Sequence, residues 1–467
     1  MKEKVDLKLI KTGIAGFDDV ILKGGIPKYS LNLIAGQPGG GKTITSSQIL
    51  FANCNKENKG ILFSTVSEPP IKLLRYLQQF AFFEAEKFNS SIKIVDMSRV
   101  LHKDDPDWII KFIMQKIEEF EANIVVIDSF KAISSLFSNP SYERRFIYDL
   151  SSELILSQCS AFFVGEYSLD EITKESVFAI SDSIILISTD VKGYLRRHYI
   201  EVLKMRGVEY FAGKHRLTID SSGITVYPRL KPEPVSISDM FPLSVNRIST
   251  GTEGLDRMTR GGVYEGSSNL IVGPSGVGKT ILSLYFLNEK AKKGKKGLFI
   301  SFEEVPQKLI RTAKSSGIDL ERLVSEKKIY VLYYSPIELS IDAFHKELLS
   351  LVEKEKPEII VIDSLSDISI TIADPTHLKN YLFSMITHLG RQGITCLFTS
   401  EIEREDSSIT ASRLSVVIDN IFLLDYKKEE GRIKKTISVL KTRSLDHDKG
   451  IFEYEITDSG IKIFDER

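Results

Sequence analysis

The chain has 467 residues, 42% hydrophobic and 27% charged, with a formal net charge of −1; this excludes a disordered class, and the length exceeds one ordinary core. That balance advertises no nucleic-acid partner, although a local basic channel can hide in a neutral total. Cys54, Cys159 and Cys396 lie far apart, without the close pairs of zinc or redox sites, and neither Met1–Asp6 nor any later run supplies a signal core or an apolar span of ~20 residues, so a cytoplasmic protein with no membrane contact is expected.

Thr12-Gly-Ile-Ala-Gly-Phe-Asp18 and Gly24-Gly-Ile26 come first, then an apolar run, Leu31–Ala35, that reads as a strand. It leads into Gly36-Gln-Pro-Gly39-Gly40-Gly41-Lys42-Thr43, after which Ile44, Ile49, Leu50 and Phe51 suit a helix. The pattern G-x-x-x-x-G-K-[ST] has a mechanism: the glycines let successive N–H groups curl around phosphates, the lysine reaches the outer phosphates, and the threonine hydroxyl holds Mg²⁺. Strand, loop, helix is the order required, because the helix N-terminus adds its partial positive charge to the loop. Ile61–Thr65, Ile124–Ile127 and Ala161–Val164 read as further buried strands, followed by Ser67-Glu68, by Asp128 and by Gly165-Glu166. Tyr199–Lys204, with Arg206 just beyond, and Gly223–Tyr227 alternate like antiparallel strands.

Tyr227-Pro-Arg-Leu-Lys-Pro-Glu-Pro234 suits an extended connector, since proline joins neither a helix interior nor a central strand. Residues 228–245 are therefore read as a linker between domains 1–227 and 246–467. The same landmarks then return in order, which argues for duplication rather than convergence. Thr250-Gly-Thr-Glu-Gly-Leu-Asp256 and Gly261-Gly-Val263 precede Leu270–Val272 and a second loop, Gly273-Pro-Ser-Gly276-Val277-Gly278-Lys279-Thr280. Leu298–Ser301 leads to Phe302-Glu303-Glu304, Ile359–Ile362 to Asp363-Ser364, and Cys396–Phe398 to Thr399-Ser400-Glu401. Thr436–Lys441 with Arg443, and Gly460–Phe464, repeat the closing strands. The fold class expected is α/β, two tandem mostly parallel sheets flanked by helices.

Asp128 and Asp363 end aliphatic strands, where a carboxylate is costly to place unless balanced, and Mg²⁺ is the balance expected in a nucleoside triphosphatase. Turnover needs a group to orient or deprotonate water, and Glu303 and Glu304 are the candidates. The equivalent stretch of the first half, Leu62–Pro70, offers Ser67-Glu68, so Glu303 is matched by Ser67 and only Glu68 remains as a candidate there. Thr399 and Ser400, placed to sense a terminal phosphate, become Val164 and Gly165. The halves are expected to be unequal, with the second complete for hydrolysis. Lys204 with Arg206, and Lys441 with Arg443, are two apart, which puts each pair on one face of a strand and suits a neighbouring subunit's phosphate. Lys290, Lys292, Lys293, Lys295 and Lys296 read as a solvated helix end rather than a nucleic-acid patch.

With these residues in view, the chain resembles the KaiC branch of the RecA-like ATPases over nearly its whole length. The resemblance rests on the Thr-Gly-x-x-Gly-[Phe/Leu]-Asp motif, both glycine loops, Phe302-Glu303-Glu304, the Ile-Asp-Ser that ends a strand in each half, and the Lys-x-Arg pairs. It implies ATP and Mg²⁺ bound between adjacent subunits, the loop from one and the Lys-x-Arg pair from its neighbour, in a ring of six subunits with two tiers. It also implies an autophosphorylation site, which aligning on Asp419–Leu424 places at Ser415-Val416, matched by Phe178-Ala179 in the first half. The family's clock members carry a glutamate pair in both halves, adjacent serine and threonine acceptors, and a tail beyond the closing strand. This sequence departs at Ser67, Val416 and Arg467, so a circadian role is not expected and the protein partner stays unnamed. A DNA-dependent ATPase of the same fold and a nucleotide-gated scaffold with negligible turnover are the competing readings.

Overall fold

The computed structural model describes residues 7–65, 69–101, 105–192, 195–230, 245–336, 339–372, 375–402, 417–429, 431–443 and 446–464. The chain divides into two compact units, one ending at Arg229 and the other beginning at Leu230. Most of the expected linker, and with it Pro232 and Pro234, lies outside the described residues.

The first unit is built on strands β1 (Leu31–Gly36), β2 (Lys59–Ser64), β3 (Ile92–Asp96), β4 (Ala122–Asp128), β5 (Ser160–Glu166), β6 (Ser183–Lys192), β7 (Leu195–Met205), β8 (His215–Asp220) and β9 (Gly223–Tyr227). The second repeats them as β10 (Ser268–Gly273), β11 (Gly297–Ser301), β12 (Ile329–Tyr333), β13 (Ile359–Asp363), β14 (Thr395–Glu401), β15 (Asn420–Glu429), β16 (Arg432–Thr442), β17 (Phe452–Thr457) and β18 (Gly460–Ile463). Among the described residues, both sheets have nine strands in the same spatial order, β3-β2-β4-β5-β1-β6-β7-β8-β9 and β12-β11-β13-β14-β10-β15-β16-β17-β18. The strands from β3 to β6, and from β12 to β15, pair in parallel, and the last three of each sheet close it antiparallel. Each half is thus the doubly covered α/β sheet that its aliphatic, β-branched runs require, because a parallel strand buries both faces. Every residue of β1 and β10 is buried. Among the described residues, no helix is long and apolar enough to cross a membrane.

The connectivity positions a site. β1 lies between β5 and β6, and the chain crosses to opposite sides of it, so a crevice opens beyond the carboxyl ends of these strands. The glycine loop after β1 and the acids ending β4 and β5 all reach that crevice.

The recurring Thr-Gly-x-x-Gly-x-Asp motif has a local explanation. Asp18 accepts hydrogen bonds from the Thr12 N–H (2.7 Å), the Thr12 hydroxyl (2.8 Å) and the Gly13 N–H (2.9 Å). Asp256 accepts from the Thr250 N–H at 2.7 Å and from the Ser249 hydroxyl. The acid closes a turn whose donors would otherwise be unpaired, so the motif is a staple in front of the sheet.

Candidate nucleotide site

The glycine loop leaves β1 at Gly36 and ends where helix α1 (Lys42–Asn53) begins; its counterpart leaves β10 and ends at α2 (Lys279–Lys292). Gly41 and Gly278, the helix N-caps, are left-handed, with φ of 98° and 115°. A Cβ at Gly41 would lie 2.6 Å from Ile219 Cδ1, and one at Gly278 2.5 Å from Ile456 Cδ1. Glycine is required twice over, by backbone sign and by space. Gly39 and Gly276 share φ of 73°, whereas Gly40 is matched by the fully buried Val277.

The lysines stand at the first position of the helix that follows each loop. Lys42 Nζ donates to the Gln37 carbonyl at 2.8 Å and lies 4.0 Å from Glu166; Lys279 Nζ donates to the Gly273 and Pro274 carbonyls at 2.9 and 3.0 Å. Burial lowers both ammonium pKa values, opposed at Lys42 by Glu166 and Asp128, and at Lys279 by Glu401, Glu303 and Asp363. The adjacent threonines meet the strand-end acids: Thr43 Oγ1 donates to Asp128 Oδ2 at 2.6 Å, and Thr280 Oγ1 to Asp363 Oδ2 at 2.9 Å. A cavity of about 570 Å³ opens over the first loop, lined by Lys42, Thr43, Asp128 and Glu166 together with Leu73 and Ile219.

The second site differs from the first in a described contact. The Thr399 hydroxyl donates to Asp363 Oδ1, so Asp363 holds two hydroxyl donors, while the position equivalent to Thr399 is the apolar Val164. Thr399 is therefore engaged with the strand-end acid Asp363. Asp363 is buried, and burial, more than any other cause, raises its carboxyl above the ordinary range despite both hydroxyls and Lys279. Ser400 turns to Ser366, whose hydroxyl also accepts the Glu401 N–H at 2.9 Å.

Glu303 and Glu304 separate in space. The Glu303 carboxyl is raised above the ordinary range by partial withdrawal from water and then by the neighbouring Asp363, and is lowered by Ser364 and Lys279. Glu304 accepts the Thr312 hydroxyl at 3.2 Å and so leans toward the helix Pro306–Ser315. Of the two, only Glu303 is among the groups that act on Lys279.

Sheet register refines the comparison with the first half. Ser64 pairs with Asp128 as Ser301 pairs with Asp363, yet the following helices start at Pro70 and Pro306. The first loop is one residue longer, so matching Ser67 to Glu303 and Glu68 to Glu304 holds when counted back from the helix, not forward from the strand. Ser67 and Glu68 lie outside the described residues, as does Ser415.

The Lys-x-Arg pairs sit at the other end of the sheet. Lys204 pairs across to Ile184 at the start of β6, and Arg206, just beyond β7, binds Asp182 at 3.1 Å; Asp182 also accepts the Leu31 N–H at the start of β1. Lys441, Arg443 and Asp419 repeat the arrangement, with Arg443 3.6 Å from Asp419 and Asp419 accepting the Ser268 N–H at 2.9 Å. The full length of β1, roughly 20 Å at strand rise, separates Arg206 from its own loop. The structure does not bring these cations to the loop of their own unit.

Lys290, Lys293, Lys295 and Lys296 of the lysine cluster are paired with carboxylates of the second unit. Lys290, 5% exposed, lies 3.2 Å from Glu265 and 3.4 Å from Glu358, Lys295 is 2.7 Å from Glu358, and Lys296 is 3.1 Å from Glu355. Lys290 is thus a buried ion pair rather than a solvated helix end. Among the described residues no three His, Cys, Asp or Glu side chains converge to hold a metal by themselves.

The family described as "ATPase: KaiC" matches residues 10–231 and again 248–467, once in each unit. The chain is 29% identical to the circadian clock oscillator protein KaiC of Picosynechococcus sp. over 98% of its own length and 89% of that protein, and equally to its namesake from Rippkaea orientalis. It is 28% identical to circadian clock oscillator protein KaiC 1 of Synechocystis sp., with the same coverage. Both units carry the family's match as well as the same strand order around a glycine loop: the chain belongs to the KaiC family of ATPases.

Proposed function

We propose that the chain binds ATP with Mg²⁺ at both loops and hydrolyses it chiefly at the second, as the subunit of a two-tier ring of six in a cytoplasmic regulatory or signalling system with a protein partner not yet identified. One observation carries the asymmetry: Asp363 holds the Thr280 and Thr399 hydroxyls beside Lys279, whereas the position equivalent to Thr399 in the first unit is the apolar Val164. When bound with the phosphates, Mg²⁺ neutralises their developing charge. Thr43 with Asp128, and Thr280 with Asp363, fit it, because each pair brings a hydroxyl and a carboxylate oxygen into contact, and oxygen donors suit this hard cation.

Within the second site, the Gly276, Val277 and Gly278 N–H groups bind the phosphates and Lys279 reaches the outer ones. Glu303 accepts the proton of the attacking water, and Glu304, held by Thr312, supports it. Lys441 and Arg443 serve the loop of an adjacent subunit, as Lys204 and Arg206 do in the first tier; their distance from their own loops supports this. Glu68 is the acid candidate of the first site, which acts chiefly in assembly. Autophosphorylation at Ser415 accompanies this reading.

The test is ATPase rate and oligomer mass for wild type, Lys42→Ala and Lys279→Ala, with and without single-stranded DNA. Lys279→Ala is expected to remove most turnover and Lys42→Ala chiefly to weaken assembly; equal losses would refute the asymmetry. Salt-sensitive stimulation by DNA would favour a DNA-dependent ATPase, and assembly on ATP without phosphate release a scaffold. Mass spectrometry of peptides after incubation with ATP is expected to find phosphoserine at 415, and an unmodified Ser415 removes the autokinase activity.

A further inference from the structure

The second glycine loop is held from outside by three donors. Tyr426 Oη donates to the Ser275 carbonyl at 3.3 Å, Lys435 Nζ to the Gly276 carbonyl at 3.2 Å, and Tyr454 Oη to the Val277 carbonyl at 2.6 Å. The three side chains come from β15, β16 and β17, in which Tyr426 pairs with Lys435 and Lys435 with Tyr454. They form one row across the closing strands.

The same register identifies their counterparts in the first unit. Thr189 pairs with His198, and His198 with Leu217. Thr189 and His198 hydrogen-bond to each other at 3.0 Å, and Leu217 is a buried aliphatic. Among the described residues, no side chain donates to the equivalent carbonyls of Pro38, Gly39 and Gly40.

In a trans peptide the carbonyl and the following N–H point in opposite directions. Fixing the carbonyls of Ser275, Gly276 and Val277 toward the closing strands therefore turns the N–H groups of Gly276, Val277 and Gly278 the other way, into the concave face of the loop. We propose that Tyr426, Lys435 and Tyr454 are positioning residues that pre-form the second loop for the phosphates of its nucleotide, and that the first loop is ordered by its ligand instead. The proposal rests on the reading that the second loop binds ATP. An ordered loop gives up less conformational entropy on binding, so the clamp raises affinity for ATP and ADP alike.

The experiment uses the full-length Lys42→Ala chain, in which nucleotide binding reports the second loop. Removing two hydroxyls, in Tyr426→Phe/Tyr454→Phe, is expected to weaken ATP and ADP binding by about tenfold each, the size of the net loss of two hydrogen bonds. Amide hydrogen exchange at Gly276, Val277 and Gly278 is expected to quicken in the nucleotide-free protein, which a general loss of packing confined to the closing strands would not produce. Should the double variant not fold, Tyr426→Phe alone, which frees only the Ser275 carbonyl, is expected to quicken exchange at Gly276 with a smaller affinity loss. Unchanged exchange at the three amides overturns the clamp. A Lys42→Ala parent that binds no nucleotide at all overturns the functional reading instead, and exchange then still decides the clamp.

Discussion

Replacing Thr399 by valine converts one position of the second site into its first-site counterpart, Val164, at almost constant side-chain volume. The hydroxyl removed is one of two that donate to the buried carboxylate of Asp363. A hydrogen bond to a charged group contributes about 1.5–3 kcal/mol, and a buried acceptor left unsatisfied carries its desolvation penalty in full, so a loss of about 2 kcal/mol is expected. For a domain of this size that lowers the melting temperature by roughly 4–8 °C. Differential scanning calorimetry of Thr399→Val against Thr399→Ser is the assay, because serine keeps the hydroxyl and loses only the methyl group. Only the valine variant should lower the second unit's transition by that amount, and it should raise the Asp363 carboxyl further above the ordinary range. Equal effects from valine and serine would refute the argument, since packing rather than the hydroxyl would then be responsible.

Three more outcomes are expected. The Glu303 carboxyl titrates above the ordinary range, so as a proton acceptor it is active above its raised pKa; ATPase should fall as pH drops through that value, and Glu303→Gln should lose both the rate and the limb. His345 is 7% exposed and burial, with His388, lowers its pKa to about 4; between 6.5 and that value the unfolded chain binds the extra proton, so stability rises with pH across the window, and His345→Leu should remove about 3 kcal/mol of that dependence in denaturant titrations at pH 4 and pH 7. Mixing Lys279→Ala chains with Arg443→Ala chains, each inactive alone, should restore part of the ATPase if the arginine acts on a neighbour's loop; a mixture as inactive as its components means that it does not.

The sequence displayed much of this protein because its landmarks are local. A glycine loop must follow a strand and open a helix, so Gly36–Thr43 and Gly273–Thr280 placed themselves, and aliphatic runs ending in Asp128 and Asp363 identified the strands beside them. Their repetition made two units legible without any long-range information. The strand-end position of each acid follows from periodicity; the threonine that each acid touches does not, because Thr43 and Asp128 are 85 residues apart.

Packing decided the rest. Thr399 and Ser400 looked alike as strand-end hydroxyls, yet one faces Asp363 and the other Ser366, since successive residues of a strand point to opposite faces. Glu303 and Glu304 looked interchangeable until the Thr312 hydroxyl drew one of them toward a helix. Tyr426, Lys435 and Tyr454 carry no motif, because their common target exists only after antiparallel pairing sets them side by side against the loop. Spacing along the chain specifies which groups a turn or helix brings together, and only the register between distant strands specifies which groups meet across a sheet.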